Sequence, residues 1–124
     1  MNKAYIEHVA VYVTDIDWYI EFFANTLNFT ERMRKEEAGQ PRQVWLYGGI
    51  QLIEVPEKHP AGKLGHLGIM AEDQQAALEK IRTYDVKPMP QGDNWLELPD
   101  GLCLEILQAK TGTVEEALQV APWQ

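Results

Sequence analysis

His8-Val-Ala-Val-Tyr-Val-Thr-Asp15 and His66-Leu-Gly-Ile-Met-Ala-Glu-Asp73 are two copies of one pattern, in which a histidine opens an apolar run and an aspartate follows seven residues later. Each copy closes on a short apolar stretch with one oxygen donor, Gln51 in Ile50-Gln51-Leu52-Ile53 and Glu105 in Leu104-Glu105-Ile106-Leu107. The copies together supply two imidazoles, an amide oxygen and a carboxylate. These four donors suit a divalent cation such as Mn, Fe, Co, Ni or Zn. The duplication therefore predicts a metal site formed by His8, Gln51, His66 and Glu105.

Each of these residues has a simpler interpretation when it is taken singly. One histidine on an apolar strand is more often a packed core residue than a ligand, and Gln51 alone is typical of a half-exposed strand position. Two of the chain's three histidines stand at equivalent points of a repeat, and this favours the metal interpretation. The third, His59, lies in the stretch Pro56 to Gly62 and is expected to be solvated.

Composition and charge limit the possible functions. The chain has 124 residues, 45% of them hydrophobic, which is enough for one compact domain. Its formal charge of −8 argues against nucleic acid or an anionic membrane as a partner, because both require a basic patch. The apolar runs are too short for a signal peptide or a spanning segment, and the single cysteine, Cys103, excludes an internal disulfide. We expect a cytoplasmic protein that acts on a small molecule.

Hydrophobic periodicity predicts the same order of elements in both halves: a strand, a helix and three strands. The predicted elements of the first half are strand 4–13, helix 16–27 and strands 29–35, 42–47 and 49–55. Those of the second half are strand 66–71, a helix from 73 to about 84, and strands 86–89, 94–98 and 102–108. The predicted fold class is therefore α+β, with two tandem βαβββ modules.

Turn and cap residues mark the ends of these elements. Asp15 and Asp73 suit helix N-caps, Asn28 a left-handed C-cap, and Gly48-Gly49 a tight hairpin. Thr113-Val114-Glu115-Glu116 has capping-box spacing, which predicts a C-terminal helix. We expect residues 1–124 to form a single domain with module one at about 4–55, a linker at about 56–64, module two at about 65–108 and a helical tail at about 113–121.

Paired βαβββ units with a histidine on each first strand resemble the vicinal oxygen chelate superfamily, which includes glyoxalase I, bleomycin resistance proteins and extradiol dioxygenases. The resemblance covers about residues 4–108. It rests on four marks that occur in order: the two His-x-small-aliphatic strands, Phe22-Phe23 before Leu27, the Pro99-Asp100-Gly101 turn, and Leu104-Glu105-Ile106. Asn28 stands where the family commonly has glycine, but asparagine tolerates the same backbone geometry.

The resemblance implies a curved open-barrel sheet with a metal-binding cleft, and one metal with roughly octahedral coordination and two open positions. It also implies a homodimer, in which His8 and Gln51 of one subunit could meet His66 and Glu105 of the other. The His/Gln/His/Glu set is similar to that of methylmalonyl-CoA epimerase, whereas bacterial glyoxalase I usually has a glutamate at the position of Gln51. Both precedents imply a lyase or isomerase that abstracts a proton beside a metal-chelated carbonyl, with an enolate as the intermediate.

The base for that step is left open by the sequence. The family allows Glu105 to act as both ligand and base, and the epimerases use a further glutamate on the middle strands of the first module. Glu36 and Glu37 lie in that part of the chain, and Glu97 lies on the strand before Glu105, but spacing places none of them in the site.

Two other functional classes remain open. In an extradiol-type dioxygenase, His8, His66 and Glu105 would hold iron as a facial triad, although Gln51 would then block a position that the substrate and oxygen need. A non-catalytic binder of the bleomycin-resistance kind would keep the fold, although such proteins generally lack the four ligands. A substrate with a large anionic carrier should require a basic rim, and the only basic cluster is Arg32, Arg34, Lys35 and Arg42.

Overall fold

A computed structural model describes residues 2–57, 62–99 and 101–121. Its elements follow the βαβββ order twice, with one further helix at the end. In chain order they are β1 (Ala4–Val13), α1 (Ile16–Leu27), β2 (Glu31–Lys35), β3 (Gln43–Leu46), β4 (Ile50–Glu54), β5 (Leu64–Ala71), α2 (Gln74–Ile81), β6 (Lys87–Met89), β7 (Gly92–Glu97), β8 (Cys103–Gln108) and α3 (Thr113–Leu118). The predicted α+β class and its internal repeat are confirmed.

The strands form one open mixed sheet in the order β2-β3-β4-β1-β5-β8-β7-β6. In each half the first strand pairs in parallel with the last strand, and the last three strands pair antiparallel with one another. A parallel pair needs a long crossover connection, and the helix after the first strand begins that crossover in both halves.

The segment His8–His66 packs as one unit with its own core. Helix α1 covers the face of the strands that carries Val11 and Val13. The buried core residues of this unit are Val13, Ile16, Val44, Leu46 and Leu52. Side chains alternate between the two faces of a strand, so His8 and Ala10 lie on the face that α1 leaves uncovered.

A second unit consists of the described residues of Met1–Glu7 and Leu67–Gln124. Its core lies between α2 and one face of β5, β7 and β8, and its buried members are Ala71, Leu78, Leu96, Leu104 and Ile106. Alternation along β5 and β8 places Gly68 and Glu105 on the other face. Each unit therefore has one face packed under a helix and one face available for a site.

The predicted caps Asp15, Asp73 and Asn28 and the first hairpin are confirmed. The Asp15 carboxylate accepts a hydrogen bond from the Trp18 backbone N–H at 3.2 Å, and that of Asp73 accepts one from Ala76 at 3.1 Å. Asn28 ends α1 in the left-handed conformation, with φ 58°. Gly48 and Gly49 both have positive φ, 109° and 96°, as a tight turn between β3 and β4 requires.

Two helix ends were predicted wrongly. Helix α2 ends at Ile81 because the Thr83 backbone N–H and hydroxyl both bond the Lys80 carbonyl, which tightens the last turn. Helix α3 ends at Leu118 and does not extend to 121, since the backbone N–H groups of Gln119 and Val120 donate three residues back, to the carbonyls of Glu116 and Ala117, and so tighten the last turn. Gly112, not Thr113, is the N-cap of α3, because the Thr113 hydroxyl donates to the Lys110 carbonyl.

Some predicted features lie outside the described residues. These are the middle of the linker with His59 (58–61) and Asp100 of the Pro99-Asp100-Gly101 turn. None of the helices formed by the described residues has the length and apolar composition needed to cross a membrane.

Candidate metal centre

The strand register repeats between the two halves at the predicted ligands. Ala10 pairs with Gln51 across β1 and β4, and Gly68 pairs with Glu105 across β5 and β8. Each small residue follows its histidine by two positions, so the histidine, the small residue and the paired oxygen donor share a face of the sheet. The sequence repeat thus corresponds to a repeat in three dimensions.

Three of the four predicted ligands are deeply buried. The exposed fractions are 5% for His8, 3% for Gln51 and 8% for His66, and these are the buried polar or charged residues among 2–57, 62–99 and 101–121. Burying an imidazole or an amide costs free energy unless its polar atoms are satisfied. Such a concentration of buried polar groups on one face is expected of a site rather than of a core.

The two histidines converge on one point. The Nε2 atoms of His8 and His66 are 3.2 Å apart, and the ring planes are nearly perpendicular at 88°. Two imidazole ligands at about 2.1 Å from one ion, with an angle between 90° and 109° at that ion, have nitrogens about 3.0 to 3.4 Å apart. The observed separation falls in this range, so the pair fits a shared cation.

Gly65 allows this close approach. A Cβ atom at Gly65 would lie 3.3 Å from Tyr12 Cζ and 3.4 Å from the Ala10 carbonyl oxygen. Those distances are tighter than most real Cβ contacts, so a larger residue at this position would push β1 away from the start of β5. The glycine immediately before His66 therefore helps to set the distance between the two imidazoles.

Gln51 presents an unsatisfied oxygen. Its Nε2 donates a hydrogen bond of 2.9 Å to Gln43 Oε1, while its own Oε1 is buried and has no hydrogen-bond partner among the described residues. Nearly all buried polar atoms in proteins have a partner, and an orphan acceptor costs about 1 to 3 kcal/mol. An amide oxygen is a suitable ligand for a divalent cation, so this orphan atom fits the predicted metal.

Glu105 is the carboxylate of the predicted ligand set. It is half-buried on β8, on the face of that strand that also carries Cys103 and Leu107. Leu104 points to the opposite face and lines a groove of about 400 Å³ beside α2. The groove therefore lies on the face of β8 opposite Glu105.

A tryptophan stands opposite each oxygen donor. Trp45 pairs with Gln51 across β3 and β4, and Trp95 pairs with Glu105 across β7 and β8. Residues directly opposite each other in antiparallel strands project from the same face. The sequence does not show whether these two tryptophans pack in the core or line a cleft. The strand register places Trp45 on the same face as Gln51, and Trp95 on the same face as Glu105.

The candidate bases differ in position. Glu36 is exposed and pairs with Arg34 at 3.2 Å, and Glu37 is also exposed. Glu97 pairs in register with Cys103 and shares the face of Glu105. Burial, with a contribution from the Glu97 charge, raises the pKa of the Cys103 thiol.

In the predicted basic cluster, the guanidinium groups of Arg34 and Arg42 form ion pairs with acidic side chains. Arg34 bonds Glu31 at 2.6 Å and also Glu36, and these hydrogen bonds raise the pKa of the arginine. Arg42 bonds Glu54 at 2.7 Å and Asp17 at 3.1 Å, with the same effect on its pKa. These two arginines therefore stabilise the unit and do not offer an open anion site.

The sequence profile of the Glyoxalase/Bleomycin resistance protein/Dioxygenase superfamily matches residues 5–94, nearly three quarters of the chain. The chain belongs to this superfamily. The predicted family is thereby confirmed, although the matched segment ends before Glu105. Comparison with curated protein sequences gives no significant match.

Solved structures of superfamily members share the fold at low sequence identity. Methylmalonyl-CoA epimerase from Mycobacterium tuberculosis is 18% identical, with a TM-score of 0.65 over 91% of each chain. A methylmalonyl-CoA epimerase in complex with methylmalonyl-CoA and NH4+ is 22% identical, with a TM-score of 0.62 over 88% of this chain and 95% of that one. The 2,3-dioxygenase LapB from Pseudomonas sp. KL28 is 21% identical, with a TM-score of 0.61 over 84% of this chain and 42% of that one.

One residue of the site was missed by the sequence analysis. Gln43 bonds the amide of Gln51, but it lies eight residues away on another strand and belongs to no repeated motif. A glutamine two residues before a strand tryptophan carries no recognisable signal. Only the pairing of β3 with β4 brings the two glutamines together.

Proposed function

We propose that the chain is a divalent-metal-dependent lyase or isomerase of the glyoxalase or epimerase type. His8, Gln51, His66 and Glu105 would hold one ion of Ni, Co, Mn, Zn or Fe. The observation that supports this best is the buried oxygen of Gln51, which has no hydrogen-bond partner among the described residues and shares a face with the converging pair His8 and His66. A cation would satisfy that orphan oxygen and could be coordinated by both imidazoles at once.

The donor set determines the charge of the site. Two imidazoles and an amide are neutral and Glu105 carries −1, so the site with a divalent ion would have a net charge of +1. Such an ion would polarise a substrate carbonyl and stabilise the negative charge that develops when the neighbouring carbon loses a proton. A second carboxylate in place of Gln51 would remove this net positive charge.

Glu105 is the proposed base. It is the carboxylate of the predicted ligand set, and its half-buried position allows it to face a substrate. Gln51 cannot take this role, because an amide does not accept a proton near neutral pH. Glu97 is the second choice, since it shares the face of Glu105 and lies opposite Cys103.

The substrate is proposed to be small: an α-hydroxycarbonyl compound, a thiohemiacetal or a small acyl-thioester. The similar epimerase structure contains methylmalonyl-CoA, which carries a large anionic carrier. Here the side chains of Arg34 and Arg42 are already bonded to carboxylates, and the chain has a formal charge of −8. These features favour a substrate without several phosphates. A cytoplasmic homodimer completes the proposal.

An extradiol-type dioxygenase is the second candidate. Two histidines and one carboxylate, as His8, His66 and Glu105 would supply, are the type of triad that holds iron in such enzymes, and LapB shares the fold. Gln51 is the residue that separates the two candidates. As a fourth ligand it would favour proton transfer, because it would occupy a position that the dioxygenase reaction needs.

Metal analysis tests the first step of the proposal. The purified protein would be stripped with a chelator, reloaded separately with Mn, Co, Ni or Zn, and compared with His66→Ala. We expect about one equivalent per chain in the wild type, a loss in His66→Ala, and no change in the control His59→Ala, which alters the histidine outside the predicted set. Absence of binding by the wild type would leave a non-catalytic cleft of the bleomycin-resistance kind as the better hypothesis.

Proton exchange tests the reaction. The loaded protein would be incubated in D₂O with the hemithioacetal of methylglyoxal and with small acyl-thioesters, and deuterium at the carbon beside the carbonyl would be followed by NMR. Glu105→Gln keeps an oxygen donor but removes the base, so it should retain metal and lose exchange. Equal exchange rates in Glu105→Gln and the wild type would exclude Glu105 as the base.

A further inference from the structure

Gln43 and Gln51 form a hydrogen-bonded pair beside the candidate metal centre. Gln43 lies on β3 and Gln51 on β4, and the register places them on the same face, since Trp45, two residues after Gln43, pairs with Gln51. Gln51 Nε2 donates to Gln43 Oε1 at 2.9 Å. Gln51 is 3% exposed and Gln43 is half-buried, so little water competes for this bond.

The direction of this bond determines which end of the Gln51 amide is left for the site. The oxygen and the NH₂ group of a carboxamide are similar in size, so steric fit alone does not determine which of them points in a given direction. Hydrogen bonding determines the orientation of the amide. Because the Gln43 oxygen accepts from Nε2, Oε1 of Gln51 is the atom left without a partner. In the reverse orientation an NH₂ group would take its place, and its positive end would repel a cation.

We propose that Gln43 is a positioning residue that fixes the Gln51 amide with its oxygen available for the metal. This inference rests on the proposed function, since it requires Gln51 to be a ligand. It assigns Gln43 no contact with substrate or cation. Residues that orient metal ligands typically change metal affinity by about 10- to 100-fold when they are substituted.

The decisive measurement is the dissociation constant for Co²⁺ and Zn²⁺, obtained by competition with a chromogenic chelator. Gln43→Leu removes the acceptor and should weaken binding by about tenfold or more. Gln43→Glu keeps an acceptor at the same distance and should preserve binding. Gln75→Leu, which changes an exposed glutamine of α2, is the matched control and should have no effect. Gln43→Ala is a second acceptor-free variant in case the leucine variant does not fold.

A double-mutant cycle separates positioning from a general structural role. If Gln43 acts through Gln51, Gln43→Leu should have no further effect on affinity in a Gln51→Ala background. A second readout needs no metal: the side-chain NH₂ signals of Gln51 in the metal-free protein should shift and broaden in Gln43→Leu but not in Gln43→Glu. Wild-type affinity in Gln43→Leu, or an equal loss in both backgrounds, would overturn the inference. Failure of the wild type to bind either ion would instead refute the proposed function, and the role of Gln43 with it.

Discussion

His8 and His66 are 58 residues apart in sequence, yet their Nε2 atoms lie 3.2 Å from each other. Both side chains are more than nine-tenths buried, so two polar rings have been removed from water at the same place. In the metal-free protein the ring nitrogens can share at most one hydrogen bond with each other, because one must donate and the other accept. A cation would use both lone pairs.

Metal binding should therefore stabilise the folded protein strongly. A ligand present at 100 times its dissociation constant, which binds only the folded state, adds about 2.7 kcal/mol. For a chain of this length that corresponds to a rise in melting temperature on the order of 10 °C. Calorimetry with and without Co²⁺ should detect this rise in the wild type and in His59→Ala. An equal rise in His66→Ala would place the ion elsewhere in the protein.

Gln51 should show a conflict between stability and function. Its buried Oε1 has no hydrogen-bond partner within the described part of the chain. Gln51→Leu removes that unsatisfied acceptor at similar volume, so the metal-free variant should be as stable as the wild type or more stable, by about 1 kcal/mol. The same variant should lose most of its metal affinity. Urea unfolding of the metal-free proteins, together with chelator competition, measures both quantities.

The outcome for Gln51→Leu distinguishes two reasons for the glutamine. If the variant were clearly less stable without metal, the hydrogen bond to Gln43 would be the main contribution of Gln51, and the residue would be structural. If Gln51→Leu were instead more stable without metal but bound metal more weakly, the main role of Gln51 would be metal binding.

Much of the fold and most of the candidate site could be predicted from the sequence, because the chain repeats itself. Spacing alone cannot show that β1 pairs with β4, but the repeat of a histidine and an oxygen donor predicts that His8, Gln51, His66 and Glu105 form one set. The structure then placed Gln51 opposite Ala10 and Glu105 opposite Gly68. Strand alternation and helix periodicity gave β1 and α1 their correct bounds because both elements have a clear apolar face.

What could not be predicted depends on contacts between strands or on competing hydrogen bonds. Gln43 acquires its role only when β3 lies beside β4. The same is true of Trp45 and Trp95, which the register alone places opposite Gln51 and Glu105. The C-terminal capping box failed because the Thr113 hydroxyl bonds backwards to the Lys110 carbonyl. A sequence pattern cannot indicate which of two nearby acceptors a hydroxyl will choose.

Gly48 should tolerate substitution much less well than another glycine of similar backbone conformation. Its φ is +109°, and an added Cβ would lie 2.8 Å from Phe29 Cδ1, on a ring that packs against the core of the first unit. Gly39 has φ +78°, and no atom of residues 2–57, 62–99 and 101–121 that could hinder it lies within 4 Å of its added Cβ. Both Gly→Ala changes incur the backbone strain of about 1 kcal/mol, but only Gly48→Ala forces the core to move, at about 1 to 3 kcal/mol more.

Chemical denaturation of the two glycine variants compares them directly. The difference in the free energy of unfolding between Gly48→Ala and Gly39→Ala contains the cost of the clash together with any difference in backbone strain, since φ is +109° at Gly48 and +78° at Gly39. If both variants lost the same free energy of unfolding, the Phe29 ring would move aside at no cost. The turn conformation alone would then explain why position 48 requires glycine.

The ion pair between Arg42 and Glu54 should make stability depend on pH. Arg42 bonds both carboxylate oxygens of Glu54, at 3.2 and 2.7 Å, and the Glu54 side chain is 32% exposed. The hydrogen bond from Arg42 lowers the pKa of Glu54 below its ordinary value. Since the carboxyl group binds its proton more weakly in the folded state, its contribution is complete above the unfolded pKa of about 4.3. That contribution is lost as the pH falls through the lower, folded value.

Glu54→Gln keeps the shape of the side chain and removes its charge. At pH 7 the variant should be less stable than the wild type by about 1 kcal/mol, a modest value because the pair is partly solvated. Urea unfolding at pH values from 7 to 3 should show the two stabilities converging as the wild-type carboxylate becomes protonated. Glu36→Gln, which alters the more exposed partner of Arg34, should change stability less at every pH. A Glu54→Gln difference that stayed constant down to pH 3 would attribute the effect to packing and not to charge.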